Sequence, residues 1–112
     1  MSLATQAVVE RMYAAANSAD LDALPDIFAP DFYSHPLGQR GIEPIRIAWS
    51  DLFRRYPGMR VVPQRLITRD DRAAIWSLVE NVPGRPELME LVRIEDHRIA
   101  ELWGLSTFTR PA

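Results

Sequence analysis

The sequence predicts an α+β fold, in which three helices precede a curved antiparallel sheet of four long strands and a possible short one. Apolar residues recur at helical spacing before residue 57, and strand-like runs fill the chain after residue 58. Short polar turns separate these runs, which is typical of consecutive antiparallel strands. Helices followed by such a meander pack on one face of the sheet, so we expect residues 1–112 to form a single domain.

The three helices are predicted from stripes of apolar residues spaced three and four positions apart. Pro25 removes a backbone donor, so the second helix is either kinked or starts late. Pro44 is tolerated because it falls in the first turn of the third helix. The predicted helices cover residues 4–17, a segment from the N-cap Asp20 to Phe28, and residues 42–55.

The strands follow in order along the second half of the chain. Pro63 indicates an edge position or a bulge in the first long strand. The second long strand is apolar almost throughout, as expected inside a sheet. The long strands are predicted at residues 59–68, 73–81, 87–95 and 99–108, and the short one at Phe32–Ser34.

Composition excludes several classes of chemistry. The chain has no cysteine, which excludes thiol catalysis and disulfides, and no lysine, which excludes Schiff-base chemistry and a P-loop. A net charge of -2 argues against nucleic acid and anionic membranes as partners. No signal peptide or transmembrane run is evident, so we expect a cytoplasmic protein. No metal-ligand spacing is present, and we expect neither a metal nor another cofactor.

His35 is the first candidate for proton transfer. It ends an apolar, strand-like segment and directly precedes Pro36 and a loop punctuated by Gly38 and Gly41. In a pocket, an imidazole is the natural general base or acid near neutral pH. The alternative is a histidine whose ring caps the turn before Pro36.

Glu90 is the second candidate. Strand alternation groups it with Leu88, Val92 and Ile94 on one face. A carboxylate among aliphatic side chains is costly to bury unless it is paired or protonated, and burial raises its pKa. The alternative is an open face on which Glu90 is solvated.

Two aromatic residues are further candidates for a pocket wall. Alternation on the last strand places Glu101 and Trp103 on the same face as Ile99. Trp103 is expected either in the core or as a ligand platform. Tyr13 belongs to the buried stripe of the first helix, and its hydroxyl could reach a pocket.

Several segments together resemble the nuclear transport factor 2-like superfamily, in particular its ketosteroid isomerase-like and SnoaL-like (polyketide cyclase) branches. The resemblance covers nearly the whole chain and implies a cone-shaped domain whose sheet wraps a hydrophobic pocket, often as a homodimer. Its carriers are Val8–Arg11, Asn17–Leu24, Phe28–Asp31, His35–Gly38, Gly41–Glu43 and Arg93–Trp103.

The resemblance also implies roles for individual positions. His35 stands where ketosteroid isomerases keep a general-base aspartate, and Glu90 where they keep an acid that stabilises the oxyanion. Met12 stands at their catalytic tyrosine, with Tyr13 one residue, or about 100° of helix, away. Thr107 replaces the acid/base aspartate of the cyclases.

We therefore expect a cofactor-independent enzyme that moves protons on a hydrophobic carbonyl compound. In this interpretation His35 is the base and Glu90 the acid or oxyanion stabiliser, both in one pocket. Substrate contacts are predicted for Tyr13, Val92, Trp103 and Thr107. The alternatives are a non-catalytic binding module for an apolar small molecule and a dimerisation domain that uses the outer sheet face.

Overall fold

The computed structural model describes residues 3–107 and shows three helices packed on a six-stranded sheet, which confirms the predicted α+β class. The helices are α1 (Leu3–Ser18), α2 (Leu24–Ile27, after a turn of 3₁₀ helix at Leu21–Ala23) and α3 (Ile42–Arg55). The strands are β1 (Phe28–Ser34), β2 (Gln39–Arg40), β3 (Arg60–Arg69), β4 (Arg72–Glu80), β5 (Glu87–Glu95) and β6 (Arg98–Ser106). Within the described residues, no helix is long and apolar enough to cross a membrane.

The sheet is mixed, so the prediction of a purely antiparallel sheet is wrong for one pair of strands. Its order is β2-β1-β6-β5-β4-β3, and β1 runs parallel to β6. A parallel pair needs a long crossover, and the whole chain between the two strands, including α3, provides it. The sheet also has one more strand than predicted, and β1 is longer than expected because the chain is already extended at Phe28.

The element ends differ from the predicted ones mainly around proline. Pro25 lies in the first turn of α2, so that helix starts late and is only one turn long. β3 is an edge strand with an irregular register between Pro63 and Arg65, as the proline indicated. Phe108, the predicted end of the last strand, lies outside the described residues.

The core lies between the helices and the inner face of the sheet. Val8 and Met12 of α1 are buried against inward-facing residues such as Ile75 and Val92. The side chain of Asn17 ties α1 to β3, because its Nδ2 donates to the carbonyl oxygen of Val61 (2.9 Å) and its Oδ1 accepts from the Val61 N–H (2.7 Å). These contacts fix α1 over the part of the sheet that carries the site.

A bulge in β6 changes which side chains face inward. Arg93 pairs with Glu101, but the next residue along, Ile94, pairs with Ile99, so Ala100 is an extra residue in β6. One extra residue reverses the alternation of a strand. Ile99 therefore points into the core, whereas Glu101 lies on the outer face. The prediction that Ile99 shares a face with Glu101 and Trp103 is wrong for this reason.

Candidate active site

A cavity of about 570 Å³ lies between α1, α3 and the inner face of the sheet. Its volume is in the range of small-molecule sites, and most of its wall is apolar and aromatic. Tyr13 and Glu90 place polar atoms inside it, and Arg55 lines it from the end of α3. The apolar wall includes Met12, Trp49, Leu52, Phe53, Met59 and Leu88.

Tyr13 and Glu90 form the polar centre of this cavity. The hydroxyl of Tyr13, from α1, donates a hydrogen bond to Oε1 of Glu90, on β5, across 2.7 Å. Ser77, fully buried on β4, donates to the same hydroxyl across 3.3 Å. Three elements thus bring one carboxyl and two hydroxyl groups into a single network. Glu90 is only partly buried, so its carboxyl remains open to the cavity.

Burial shifts the titration of both central groups. It raises the pKa of Glu90 above its ordinary value, and the hydrogen bond from Tyr13 opposes part of that effect. Burial also raises the pKa of Tyr13 far above its ordinary value, and the neighbouring charge of Glu90 adds to this. Tyr13 therefore stays a hydroxyl donor, while Glu90 is a stronger base than an exposed glutamate.

Gly104 leaves the space beside Glu90 open. The two residues pair across β5 and β6, on the inner face. A Cβ atom at Gly104 would lie 3.5 Å from Cγ of Pro36 and 3.7 Å from Cγ of Glu90. A Cβ atom would thus fit at ordinary contact distance, whereas a larger side chain at this position would fill the space between the loop after β1 and the carboxyl group of Glu90.

His35 lies on the outer face of the sheet, away from this cavity. Its backbone N–H donates to the carbonyl oxygen of Leu102, which extends the pairing of β1 with β6 and points the side chain outward. The imidazole stacks on Trp103, with ring centroids 4.6 Å apart and planes 10° apart. Its Nε2 lies 2.7 Å from Oε2 of Glu101. The prediction that His35 and Glu90 share one pocket is therefore wrong; the neighbours Pro36 and Leu37 line the cavity instead.

The partner of His35 belongs to a charged cluster. Glu101 also accepts a hydrogen bond from Nε of Arg93 (3.1 Å), and Arg93 bonds to Glu95 (3.0 Å). The hydrogen bond with His35 lowers the pKa of the Glu101 carboxyl; desolvation opposes this effect, and Arg93 contributes further to the lowering. This network orients His35 on an exposed surface.

The structure also changes the positions expected for three predicted substrate contacts. Trp103 is an outer-face residue because of the β6 bulge, so it is not part of the cavity wall. Val92 faces inward but is fully buried in the core rather than in contact with the cavity. Thr107 is exposed beyond β6, where it accepts from the N–H of Glu87 (2.8 Å). Of the four residues predicted to contact substrate, Tyr13 lines the cavity and the other three do not.

Sequence reasoning missed Ser77 and Gly104. Ser77 interrupts the buried alternation of Ile75 and Val79, and a lone hydroxyl at such a position signals a buried hydrogen-bonding partner. Gly104 follows Trp103 inside a strand, where glycine often marks a close approach. Within residues 3–107, no group of three His, Asp or Glu side chains is placed to hold a metal ion.

Comparison with known proteins identifies the family. Residues 9–102 match the model of the SnoaL-like domain. The chain belongs to this family. No curated protein is similar enough to count as a match.

Solved structures show the same fold. IdmH from Streptomyces antibioticus, a candidate polyketide cyclase, is 22% identical, with a TM-score of 0.81 over 92% of this chain and 91% of its own. A candidate polyketide cyclase from Sinorhizobium meliloti is 27% identical, with a TM-score of 0.77 over 88% of this chain and 93% of its own. One from Bacillus cereus is 16% identical, with a TM-score of 0.85 over 93% of this chain and 74% of its own.

Proposed function

We propose that this protein is a cofactor-independent enzyme that transfers protons on a hydrophobic carbonyl compound, as in isomerisation or aldol cyclisation. The proposal rests on the 2.7 Å hydrogen bond between Tyr13 and Glu90 inside a largely apolar cavity. Membership of the SnoaL-like family and the similarity to candidate polyketide cyclases support the same class of reaction.

Glu90 takes the role of the base, because His35 lies on the other face of the sheet. As a carboxylate it removes a proton from the carbon next to the substrate carbonyl, and the electron pair of that C–H bond moves onto the carbonyl oxygen. Protonated Glu90 accepts a hydrogen bond less strongly than the carboxylate does, so the single O–H donor of Tyr13 can turn from Glu90 to the resulting enolate oxygen. Glu90 then returns the proton to another carbon, which completes an isomerisation. In an aldol cyclisation, the enolate carbon instead attacks a second carbonyl carbon of the same molecule, and the π electrons of that carbonyl move onto its oxygen. Protonated Glu90 then gives its proton to the resulting alkoxide, which restores the carboxylate.

The surroundings of Glu90 suit this role. A base that must remove a weakly acidic C–H proton works best when its pKa approaches the operating pH, and burial raises the pKa of Glu90 in that direction. Apolar walls exclude water from the enolate and hold the substrate by its hydrophobic body.

Hydrogen–deuterium exchange tests the proposal without knowledge of the natural substrate. A panel of cyclic enones and aromatic β-diketones is incubated with the protein in D₂O, and NMR follows exchange next to the carbonyl. We expect the wild type to accelerate exchange on part of the panel and Glu90→Gln to lose about 100-fold or more of this activity. His35→Ala is the control and should retain it. Full activity of Glu90→Gln, or no acceleration by the wild type, would contradict the proposal.

A non-catalytic binding module is the second candidate function. The same apolar wall favours it, because a cavity of this kind binds a hydrophobic ligand whether or not chemistry follows. Ligand binding raises the melting temperature by mass action. Compounds that stabilise the protein but show no exchange in D₂O would favour this function over catalysis.

We also propose that the outer sheet face pairs with a second copy of the chain. Apolar side chains form adjacent rows there: Trp76, Met89 and Leu105 lie side by side across β4, β5 and β6, and Leu91 lies next to Trp103. Met89 is 54% exposed and Leu105 79% exposed, an unusual amount of apolar surface for a monomer. Analytical sedimentation of the wild type and of Met89→Glu tests this, since a charge in the centre of the interface should shift a dimer to monomer.

A cytoplasmic location stays a prediction of the sequence.

A further inference from the structure

Arg55 gives the cavity an unusual electrostatic character. Among the described residues that line the cavity, it is the only one with a cationic side chain, and Glu90 is the only one with an acidic side chain. Within residues 3–107, no carboxylate forms an ion pair with Arg55, whereas the neighbouring Arg54 pairs with Asp51. The guanidinium also makes no hydrogen bond to another described residue, so its N–H donors can bind a ligand.

The position of Arg55 suits recognition of one end of a ligand. It is the last residue of α3 and is both exposed and in contact with the cavity, so it lies at the rim. Trp49, Leu52 and Phe53 of the same helix line the interior. A ligand that reaches the guanidinium can thus lay an apolar body along α3 while its other end approaches Glu90.

The neighbouring arginine shows that this placement is specific to Arg55. Arg54 also lies in the last turn of α3, where a positive charge interacts favourably with the helix dipole. Its side chain pairs with Asp51 on the helix surface and does not line the cavity. Arg54 therefore offers a matched control for the general effects of charge at this helix end.

We propose that the cavity prefers amphipathic anions, with an apolar body inside and a carboxylate held by Arg55 at the rim. This inference rests on the proposed function, because it takes the cavity as the ligand site. A planar guanidinium binds a carboxylate through two parallel hydrogen bonds, which adds orientation to affinity. Arg55 is then a specificity-determining residue that orients the substrate relative to Glu90. Burial raises the pKa of Glu90, which weakens the repulsion that its carboxyl would exert on a bound anion.

Two probes of equal shape test the inference. NMR titrations measure the affinity of 2-naphthoate and of its uncharged analogue 2-naphthamide for the wild type, Arg55→Gln, Arg55→Lys and Arg54→Gln. We expect the wild type to bind the naphthoate about fivefold more tightly, the size of effect typical of a partly exposed ion pair. Arg55→Gln should bind both probes equally, Arg55→Lys should keep part of the preference, and Arg54→Gln should keep all of it. The NMR spectrum of each variant also reports whether that variant is folded.

The outcomes separate this inference from the proposed function. Equal affinity of both probes for the wild type, or an unchanged preference in Arg55→Gln, overturns the role of Arg55 and leaves the cavity as a ligand site. Loss of the preference in Arg54→Gln as well overturns the specific role, because the effect would then come from the helix end as a whole. Failure of the wild type to bind the naphthoate at millimolar concentration also overturns this inference, whereas the proposed function is decided separately by the deuterium-exchange test.

Discussion

Replacing Tyr13 with phenylalanine removes one oxygen atom from the centre of the cavity and should raise the pKa of Glu90. The lost hydroxyl donates across 2.7 Å to the carboxyl of Glu90. This bond is stronger when the carboxyl is ionised than when it is protonated, so it lowers the pKa of Glu90 in the wild type. Without it, burial acts on the carboxyl unopposed.

The size of this effect follows from how much stronger the hydrogen bond is to the ionised carboxyl group than to the protonated one. A bond to a charged group stabilises a protein by about 1.5–3 kcal/mol, against about 0.5–1.5 kcal/mol for a neutral pair. The difference, roughly 1–1.5 kcal/mol, corresponds to a change of about one in pKa. Tyr13→Phe should therefore raise the pKa of Glu90 by about one.

Carboxyl-detected ¹³C NMR of glutamate-labelled protein measures this pKa, and the spectrum of Glu90→Gln assigns the signal. Ser77→Ala is the matched control, because Ser77 bonds to the Tyr13 hydroxyl at 3.3 Å and leaves the bond from Tyr13 to Glu90 in place. Its effect on the pKa of Glu90 should be much smaller. An unchanged or lowered pKa in Tyr13→Phe would refute the reasoning, since the hydroxyl could not then be a donor to the carboxylate.

Three further predictions concern stability and the outer face. Because the folded-state pKa of Glu90 is raised, wild-type stability falls as the pH rises from the unfolded-state pKa through the folded-state pKa, by about 1.4 kcal/mol for each pH unit that separates the two. Glu90→Gln should lack this loss, so in urea unfolding the free energy of unfolding of the variant should rise relative to that of the wild type between pH 4 and pH 8. A difference between the two proteins that stays constant with pH would contradict this prediction. Asn17→Ala should lower the free energy of unfolding by about 2 kcal/mol, because two hydrogen bonds to the Val61 backbone are lost. A loss below about 0.5 kcal/mol in the same assay, half the usual contribution of one hydrogen bond, would argue against a stabilising role of that contact. His35→Gln should raise the lowered pKa of Glu101 in a ¹³C titration, because the hydrogen bond with His35 is the main cause of that lowering. The pKa of Glu90 should not change, and a change would argue against the placement of His35 and Glu90 on opposite faces of the sheet.

Much of the fold follows from local patterns in the sequence. The residues of β5 alternate strictly, and the structure places Leu88, Glu90 and Val92 on the inner face as predicted. Pro25 and Pro63 act where their chemistry requires, at a helix start and at an irregular edge strand. These features depend on neighbours close in sequence, so a pattern of a few residues is enough to predict them.

The composition of the site depends instead on one long-range detail. The sequence of β6 cannot show whether Ala100 continues the alternation or forms a bulge. Ile99, Ala100 and Leu102 are all apolar, so either arrangement places apolar residues on the inner face. The bulge becomes visible only when β5 supplies the register. The parallel pairing of β1 with β6 then fixes the direction of His35, and nothing near His35 in sequence encodes that pairing.

The bulge also determines which chemistry the cavity can perform. With an inward His35, the cavity would hold a base and a separate acid, and each group could keep a single role through a reaction. With His35 stacked on Trp103 outside, Glu90 is the one acid–base group among the described cavity residues whose pKa burial moves toward neutral pH, because burial raises the pKa of Tyr13 further away from it. One carboxyl must then both remove and return the proton. That requirement favours reactions in which the proton moves between nearby carbons of one substrate, and it makes the orientation of the substrate, for which Arg55 is well placed, decisive for the outcome.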